Sequence, residues 1–217
     1  MTHVRPVLAA ILASWILPAC GGGQAPTGSP SSASARPPDA APVVQGPTTT
    51  ADGALITART LLERALAEGA RWQPDAQLIG VNTSLADGPA HGFWWYDLQS
   101  PSTGTCTRLR AMANGRVDNV GSGDSCVLMK PVSSGFIDSA AAYQAALDAG
   151  FRKGTSVAFS LRFLRDQALP APRECWVVWS DADGDEQRGV IRGWCIDPVS
   201  GIFVARLSGY GRSETLR

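Results

Sequence analysis

The chain has 217 residues and a formal net charge of zero, with 19 basic and 19 acidic side chains and only two histidines. It contains no block of basic residues, so nucleic-acid binding has no electrostatic support. The part of the chain after residue 52 is long enough for one good hydrophobic core or two small ones.

The first 19 residues have the features of a cleavable secretory signal. A positive charge at Arg5 precedes an apolar run from Val7 to Leu17. This run is shorter than the roughly 20 residues that a membrane-spanning helix needs. The sequence Leu17-Pro18-Ala19-Cys20 resembles the lipobox of bacterial lipoproteins, in which the cysteine is acylated. The resemblance implies that residues 1–19 are removed and that Cys20 carries the lipid, such as palmitate; an ordinary signal with an incidental cysteine is the alternative.

A lipidated Cys20 implies a protein of the cell envelope that is held to the membrane by its N-terminal lipid. Gly21 replaces the aspartate that retains enteric lipoproteins in the inner membrane, which favours the outer membrane, facing the periplasm or the exterior. Residues 20–52 are rich in Gly, Pro, Ser, Ala and Thr. Such a composition buries too little surface to fold, so we predict a disordered linker over this range.

Four cysteines remain after Cys20, and an even number in an exported protein predicts two disulfide bonds. Four cysteines allow three pairings. We favour Cys106–Cys126 and Cys175–Cys195 because each pair flanks a plausible hairpin. The absence of a Cys-x-x-Cys motif argues against a thiol oxidoreductase or a zinc ribbon.

The elements after residue 52 follow one plan twice, at a constant offset. In the first half Thr57 is a good N-cap and Gly69 a good C-terminal residue for a helix; Asp138 and Gly150 take these places in the second half. Alternating apolar residues then predict strands. They span residues 77–81, 93–98, 106–112 and 116–120 in the first half and residues 156–163, 175–180, 190–196 and 202–207 in the second.

This order predicts an α+β fold of two repeats, residues 53–130 and 131–217, each with a helix packed on an antiparallel meander. The second half carries a further resemblance in Cys175-Trp176-Val177-Val178 and in the stretch Cys195-Ile196-Asp197-Pro198-Val199-Ser200-Gly201-Ile202-Phe203. These hairpin signatures resemble PepSY domains, which are non-catalytic envelope modules, some of them protease inhibitors. The resemblance implies a binding role. We predict a non-catalytic binding or inhibitory module without a cofactor, whose ligand is an unknown protein, peptide or glycan.

Two groups of residues could carry catalysis or bind a metal. His91 lies in a turn-forming stretch, and we interpret it as a surface-loop residue. The densest carboxylate cluster is the segment Asp181–Glu186, where Asp181, Asp183 and Asp185 lack the spacing of a calcium loop and indicate a solvated turn. An envelope hydrolase using these carboxylates and a purely structural envelope protein are the alternatives to the binding module.

The aromatic strands are the most informative candidates for binding. Side chains at alternate positions share a face, so residues 93–96 and 176–179 place rings on both faces of a sheet. If Cys175 lies opposite Cys195, the disulfide face is apolar and should pack against protein. The opposite face then carries Trp176, Trp194 and Arg192, which we predict to be the binding surface. The alternative is that both faces are buried.

Overall fold

The computed structural model describes residues 54–123, 126–181, 193–209 and 212–216. The predicted signal peptide, the lipid-bearing Cys20 and the predicted linker lie outside these residues. No helix within the described part of the chain is long and apolar enough to cross a membrane.

Short helices precede each run of strands. The helices are α1 (Leu62–Trp72) and α2 (Ser139–Asp148). The strands are β1 (Gln77–Asn82), β2 (Phe93–Ser100), β3 (Thr105–Met112), β4 (Val117–Gly123), β5 (Val157–Arg165), β6 (Arg173–Ser180), β7 (Trp194–Ile196), β8 (Phe203–Arg206) and β9 (Arg212–Ser213). The strands predicted from alternation are confirmed to within a few residues where they are described. Strand β9 was not predicted, because two residues are too short to show an alternation.

The main strands form one continuous antiparallel sheet in the order β4-β3-β2-β1-β5-β6-β7-β8, and β9 pairs with β5. The predicted α+β fold of two helix-and-meander repeats is therefore wrong, and the fold is mainly β. The physical reason is the pairing of β1 with β5, where Gly80 lies opposite Arg162 and Asn82 opposite Ser160. This pairing joins both meanders edge to edge through backbone hydrogen bonds, which alternation along a single strand cannot indicate.

The main core lies on the side of the sheet that α1 and α2 cover, which we call the helix face. It contains Trp94, Tyr96, Phe159 and Trp176, all fully buried. The indole N–H of Trp94 donates to the Ile56 carbonyl at 2.8 Å, and that of Trp176 donates to the Ile137 carbonyl at 2.9 Å. Each buried tryptophan therefore fixes the chain just before a helix, and its polar atom is satisfied.

The helix boundaries differ from the prediction mainly in α1. Asp138 is the N-cap of α2, and Gly150 has a φ of 94°, both as predicted. Thr57 does not cap α1, which begins at Leu62; its hydroxyl instead donates to the Asp138 carboxylate at 2.6 Å. Gly69 does not end α1 but lies within it, where a Cβ would collide with Leu98 of β2. Glycine at this position leaves room for the buried Leu98 side chain and does not form a left-handed turn.

Candidate functional site

The side chains predicted to form the binding surface do not meet at an open face. Trp176 is fully buried on the helix face, against its predicted exposure. It pairs across the ladder with Ile196, while Trp194 pairs with Val178 and meets the Phe203 ring at a tilt, with 5.3 Å between ring centres. The predicted pairing of β6 with β7 is therefore wrong by two residues. Cys195 lies opposite Val177, so the disulfide joins Cys175 and Cys195 diagonally and not directly across the two strands. Arg192 lies outside the described residues.

Both predicted disulfides are confirmed, with Cα–Cα distances of 5.9 Å for Cys106–Cys126 and 5.2 Å for Cys175–Cys195. Cys175 and Cys195 are fully buried in a second, smaller apolar cluster on the side of the sheet away from the helices. The other buried members of this cluster are Leu164, Leu169, Val177 and Leu207. Of the predicted disulfide face, Cys175, Val177 and Cys195 are therefore buried against protein, whereas Ile191 lies outside the described residues.

His91 is not a surface-loop residue. It is only 3% exposed, and its backbone N–H and C=O both bond to Ile56 at 2.8 Å. These two backbone hydrogen bonds place the imidazole on the helix face. Its ring centre lies 5.1 Å from that of Trp94 and 5.9 Å from that of Phe159, both in edge-on contacts. Burial lowers its pKa to about 4, opposed by a hydrogen bond to the Gly88 backbone. A neutral imidazole in an apolar core is a structural group here.

The buried imidazole should make stability depend on pH. The pKa of His91 is about 4 in the folded protein and 6.5 when unperturbed, so the unfolded chain binds more protons between these values. Stability from this group is present above pH 6.5 and is lost as the pH falls towards 4. We expect a loss of about 2 kcal/mol at pH 5 relative to pH 7.5. Denaturant unfolding at both pH values measures it.

The matched control is His91→Phe, which keeps a flat ring between Trp94 and Phe159 but cannot be protonated. Its free energy of unfolding should change much less than that of the parent protein between pH 7.5 and pH 5. An equal change in both proteins would contradict the assignment of the pH dependence to His91.

Asp181 is the described member of the predicted carboxylate cluster; Asp183, Asp185 and Glu186 lie outside the described residues. Its side chain is exposed and accepts hydrogen bonds from the Ser156 backbone N–H at 3.0 Å and from the Thr155 hydroxyl. The Thr155 side chain is the main reason that the Asp181 pKa is lowered. A general acid needs a raised pKa, so this shift has the wrong direction. Within the described residues, no three His, Cys, Asp or Glu side chains form a group that could hold a metal ion.

A polar network crosses the side of the sheet away from the helices, which we call the open face. We call the five side chains Arg108, Asp97, Asn82, Ser160 and Arg162 the polar row. Arg108 donates to Asp97 through Nε at 2.5 Å and Nη2 at 2.9 Å, and the Asn82 amide donates to the same carboxylate at 2.7 Å. Ser160 donates to the Asn82 carbonyl at 2.7 Å and accepts from Arg162 Nε at 2.6 Å. The network therefore connects four neighbouring strands.

Arg162 ends the polar row without a carboxylate of its own. It is half-buried, and none of the carboxylate oxygens that the structure describes lies within 4.0 Å of its nitrogens. Burial lowers its pKa, the charge of Asp97 raises it, and the charge of Arg108 lowers it further. The Asp97 carboxylate is already bonded to Arg108 and Asn82, so the charge of Arg162 is balanced only at a distance.

An apolar groove adjoins the polar row on the open face. Its volume is about 510 Å³, in the range of small-molecule and peptide sites. Asp97 and Arg108 line it together with the apolar side chains of Ile79, Val120, Val127 and Met129. On the opposite flank of Arg108, its guanidinium lies 5.7 Å from the centre of the Trp95 ring, which in turn meets Phe93 at 4.8 Å.

The sequence analysis did not predict this site, although the alternation along β5 already indicates part of it. The predicted strands place Val157, Phe159 and Leu161 on one face, which leaves Ser160 and Arg162 on the other. A charged residue in a strand this apolar is a marker of an unusual position. That Arg162 lies beside Asn82 and near Asp97 depends on the β1–β5 pairing, which local patterns do not predict.

Comparison of the chain with protein-family models, curated proteins and solved structures found no match.

Proposed function

We propose that this chain is a non-catalytic lipoprotein of the cell envelope whose folded part binds a ligand on the open face of its sheet. The observation that carries the proposal is the half-buried Arg162, which has no carboxylate partner among the described residues. It shares the open face with the groove and lies two strands from Asp97, which lines the groove. A ligand that fills the groove and reaches Arg162 would use both features.

The energetics of Arg162 support a role in binding over a purely structural one. Removing a charge from water is unfavourable unless the charge is paired. If this position served stability alone, an apolar side chain in place of the arginine would make the folded protein more stable. Leu164, two positions further along β5 and on the same face as Arg162, is buried in the smaller apolar cluster, so this face of the strand accommodates an apolar residue. A partly desolvated cation that keeps some access to solvent is suited to an incoming partner.

The cellular setting in this proposal comes from the N-terminal sequence. Acylation of Cys20 would hold the protein at the envelope, in the outer membrane facing the periplasm or the exterior, and residues 20–52 would act as the tether. The two disulfides support an exported protein, since such bonds persist in oxidising compartments. The PepSY-like resemblance, which implies a binding or inhibitory module, stays a prediction. The lowered pKa of Asp181 disfavours this residue as the general acid of the hydrolase alternative.

Two exposed valines allow a matched test of the binding face. Val127 in the groove is 68% exposed, and Val199, outside the groove and the polar row, is 67% exposed. The full chain in detergent is titrated with a set of short peptides and oligosaccharides, and binding is followed by amide chemical shifts. We expect the shifts to cluster on β1–β3 and β5, and Val127→Glu to weaken binding by about tenfold or more because it places a charge in an apolar site.

The control substitution Val199→Glu adds the same charge to an equally exposed valine and should leave affinity unchanged. Binders whose shifts map to β7 and β8, or that respond equally to both substitutions, would refute the proposed face. A set in which nothing binds would count against the binding function itself.

A further inference from the structure

We infer that the open face recognises the terminal carboxylate of a short, extended, apolar peptide, with Arg162 pairing with the carboxylate and the groove holding the side chains. This inference rests on the proposed function and specifies its ligand. It follows from the charge balance of the polar row, from the unused donors of Arg162, and from the dimensions of the face.

The charge balance of the polar row favours a ligand with one negative charge. Arg108 and Asp97 neutralise each other through two hydrogen bonds, and Asn82 and Ser160 are neutral. Arg162 therefore contributes one positive charge that the described side chains of this face do not pair. A single carboxylate would complete the row, whereas a cationic ligand would meet two guanidinium groups.

Arg162 also retains the donors that a carboxylate needs. A guanidinium carries five N–H groups. One of these is bonded to Ser160 through Nε, and one to the Asn82 carbonyl through Nη2 at 3.3 Å. The remaining donors lie at the Nη end, where a carboxylate can be held by two parallel bonds. The bonds to Ser160 and Asn82 fix the guanidinium plane, so little side-chain entropy is lost on binding.

The dimensions of the face suit a peptide of about three or four residues. Arg108 and Arg162 stand on strands separated by β2 and β1. Three strand spacings correspond to about 14 Å, and an extended chain covers about 3.4 Å per residue. Gly80, which pairs with Asp97 on one side and Arg162 on the other, carries no side chain that would block the path between them.

A peptide fits the groove better than an alkyl chain. Asp97 lines the groove and accepts three hydrogen bonds from Arg108 and Asn82, whereas a carboxylate offers about four acceptor positions. A peptide N–H can use the remaining position, and the peptide side chains can cover the valines of the groove. A fatty acid would have no donor for Asp97 and would leave that acceptor desolvated.

The test compares three probes by calorimetry on the full chain in detergent. These are N-acetyl-Ala-Val-Leu with a free carboxylate, the same peptide with a C-terminal amide, and decanoate. We expect the free acid to bind at least about tenfold more tightly than the amide, since a charged hydrogen-bonded pair is lost in the amide. Decanoate should bind more weakly than the acid peptide.

Substitutions then assign the carboxylate to its partner. R162Q should lower affinity for the acid peptide to that of the amide and leave affinity for the amide unchanged, and R162K should lie between. The control is R116Q, which removes the same charge from an exposed arginine of the β3–β4 turn that pairs with Asp118. It should leave both affinities unchanged.

The outcomes separate the inference from the proposed function. The amide chemical shifts of the protein are recorded with each probe as well. Equal affinity for the acid and the amide, with chemical-shift changes on the open face, overturns the carboxylate assignment but still supports the binding face. Tighter binding of decanoate than of the acid peptide overturns the peptide assignment. Failure of all three probes to perturb the open face counts against both. The acid–amide comparison uses the parent protein, so it decides the matter even if R162Q does not fold.

Discussion

Replacing Trp94 by alanine is expected to lower the free energy of unfolding by about 3–5 kcal/mol, in the range measured for large aromatic residues in cores. The indole is fully buried and contacts Trp176 edge-on at 6.3 Å and His91 at 5.1 Å. Alanine would leave a cavity in this aromatic cluster and would also remove one of the two hydrogen bonds that the Ile56 carbonyl accepts, leaving only that from the His91 N–H. Denaturant unfolding followed by circular dichroism measures the loss.

The adjacent tryptophan provides the control. Trp95 points to the open face, is only partly buried, and has the Arg108 guanidinium 5.7 Å from its ring centre. Trp95→Ala should reduce stability by only about 1 kcal/mol, chiefly through the lost cation–π contact. If the two substitutions proved equally destabilising, the division of this strand into a core face and an open face would be incorrect.

Removing the Cys175–Cys195 disulfide by double substitution to alanine is expected to cost about 3 kcal/mol from loop entropy in the unfolded chain, with a further loss from packing. Both cysteines are fully buried in the smaller apolar cluster, which also contains Val177 and Leu207. Thermal and denaturant unfolding of the double variant measure the combined effect.

The other disulfide is a matched comparison, since Cys106–Cys126 spans the same separation of 20 residues. The loop-entropy contribution should therefore be nearly the same for both pairs. Cys106 and Cys126 are only partly buried, so their double substitution should cost less, by the packing contribution of the buried pair. A larger loss for Cys106 and Cys126 would contradict this account.

Much of the local structure could be predicted from the sequence. The helix cap at Asp138, the left-handed Gly150 and most strands followed from short-range chemistry, since they depend on neighbours within a few residues. The disulfide pairs were predicted because each closes a hairpin. The errors at Thr57 and Gly69 have another origin. Thr57 hydrogen-bonds to Asp138, and Gly69 lies against the Leu98 side chain. Both partners are distant in the sequence, so local patterns do not predict these contacts.

The candidate site divides in the same way. The alternation along β5 alone separates Ser160 and Arg162 from the buried Phe159 and Leu161, so which side chains share a face was decided locally. Which face becomes core, and which strands lie side by side, was decided only by the tertiary structure. The pairing of β1 with β5 merges the halves into one sheet and brings Asn82 within hydrogen-bonding distance of Ser160. Edge-to-edge pairing uses backbone groups that every residue carries, so side-chain patterns specify it weakly.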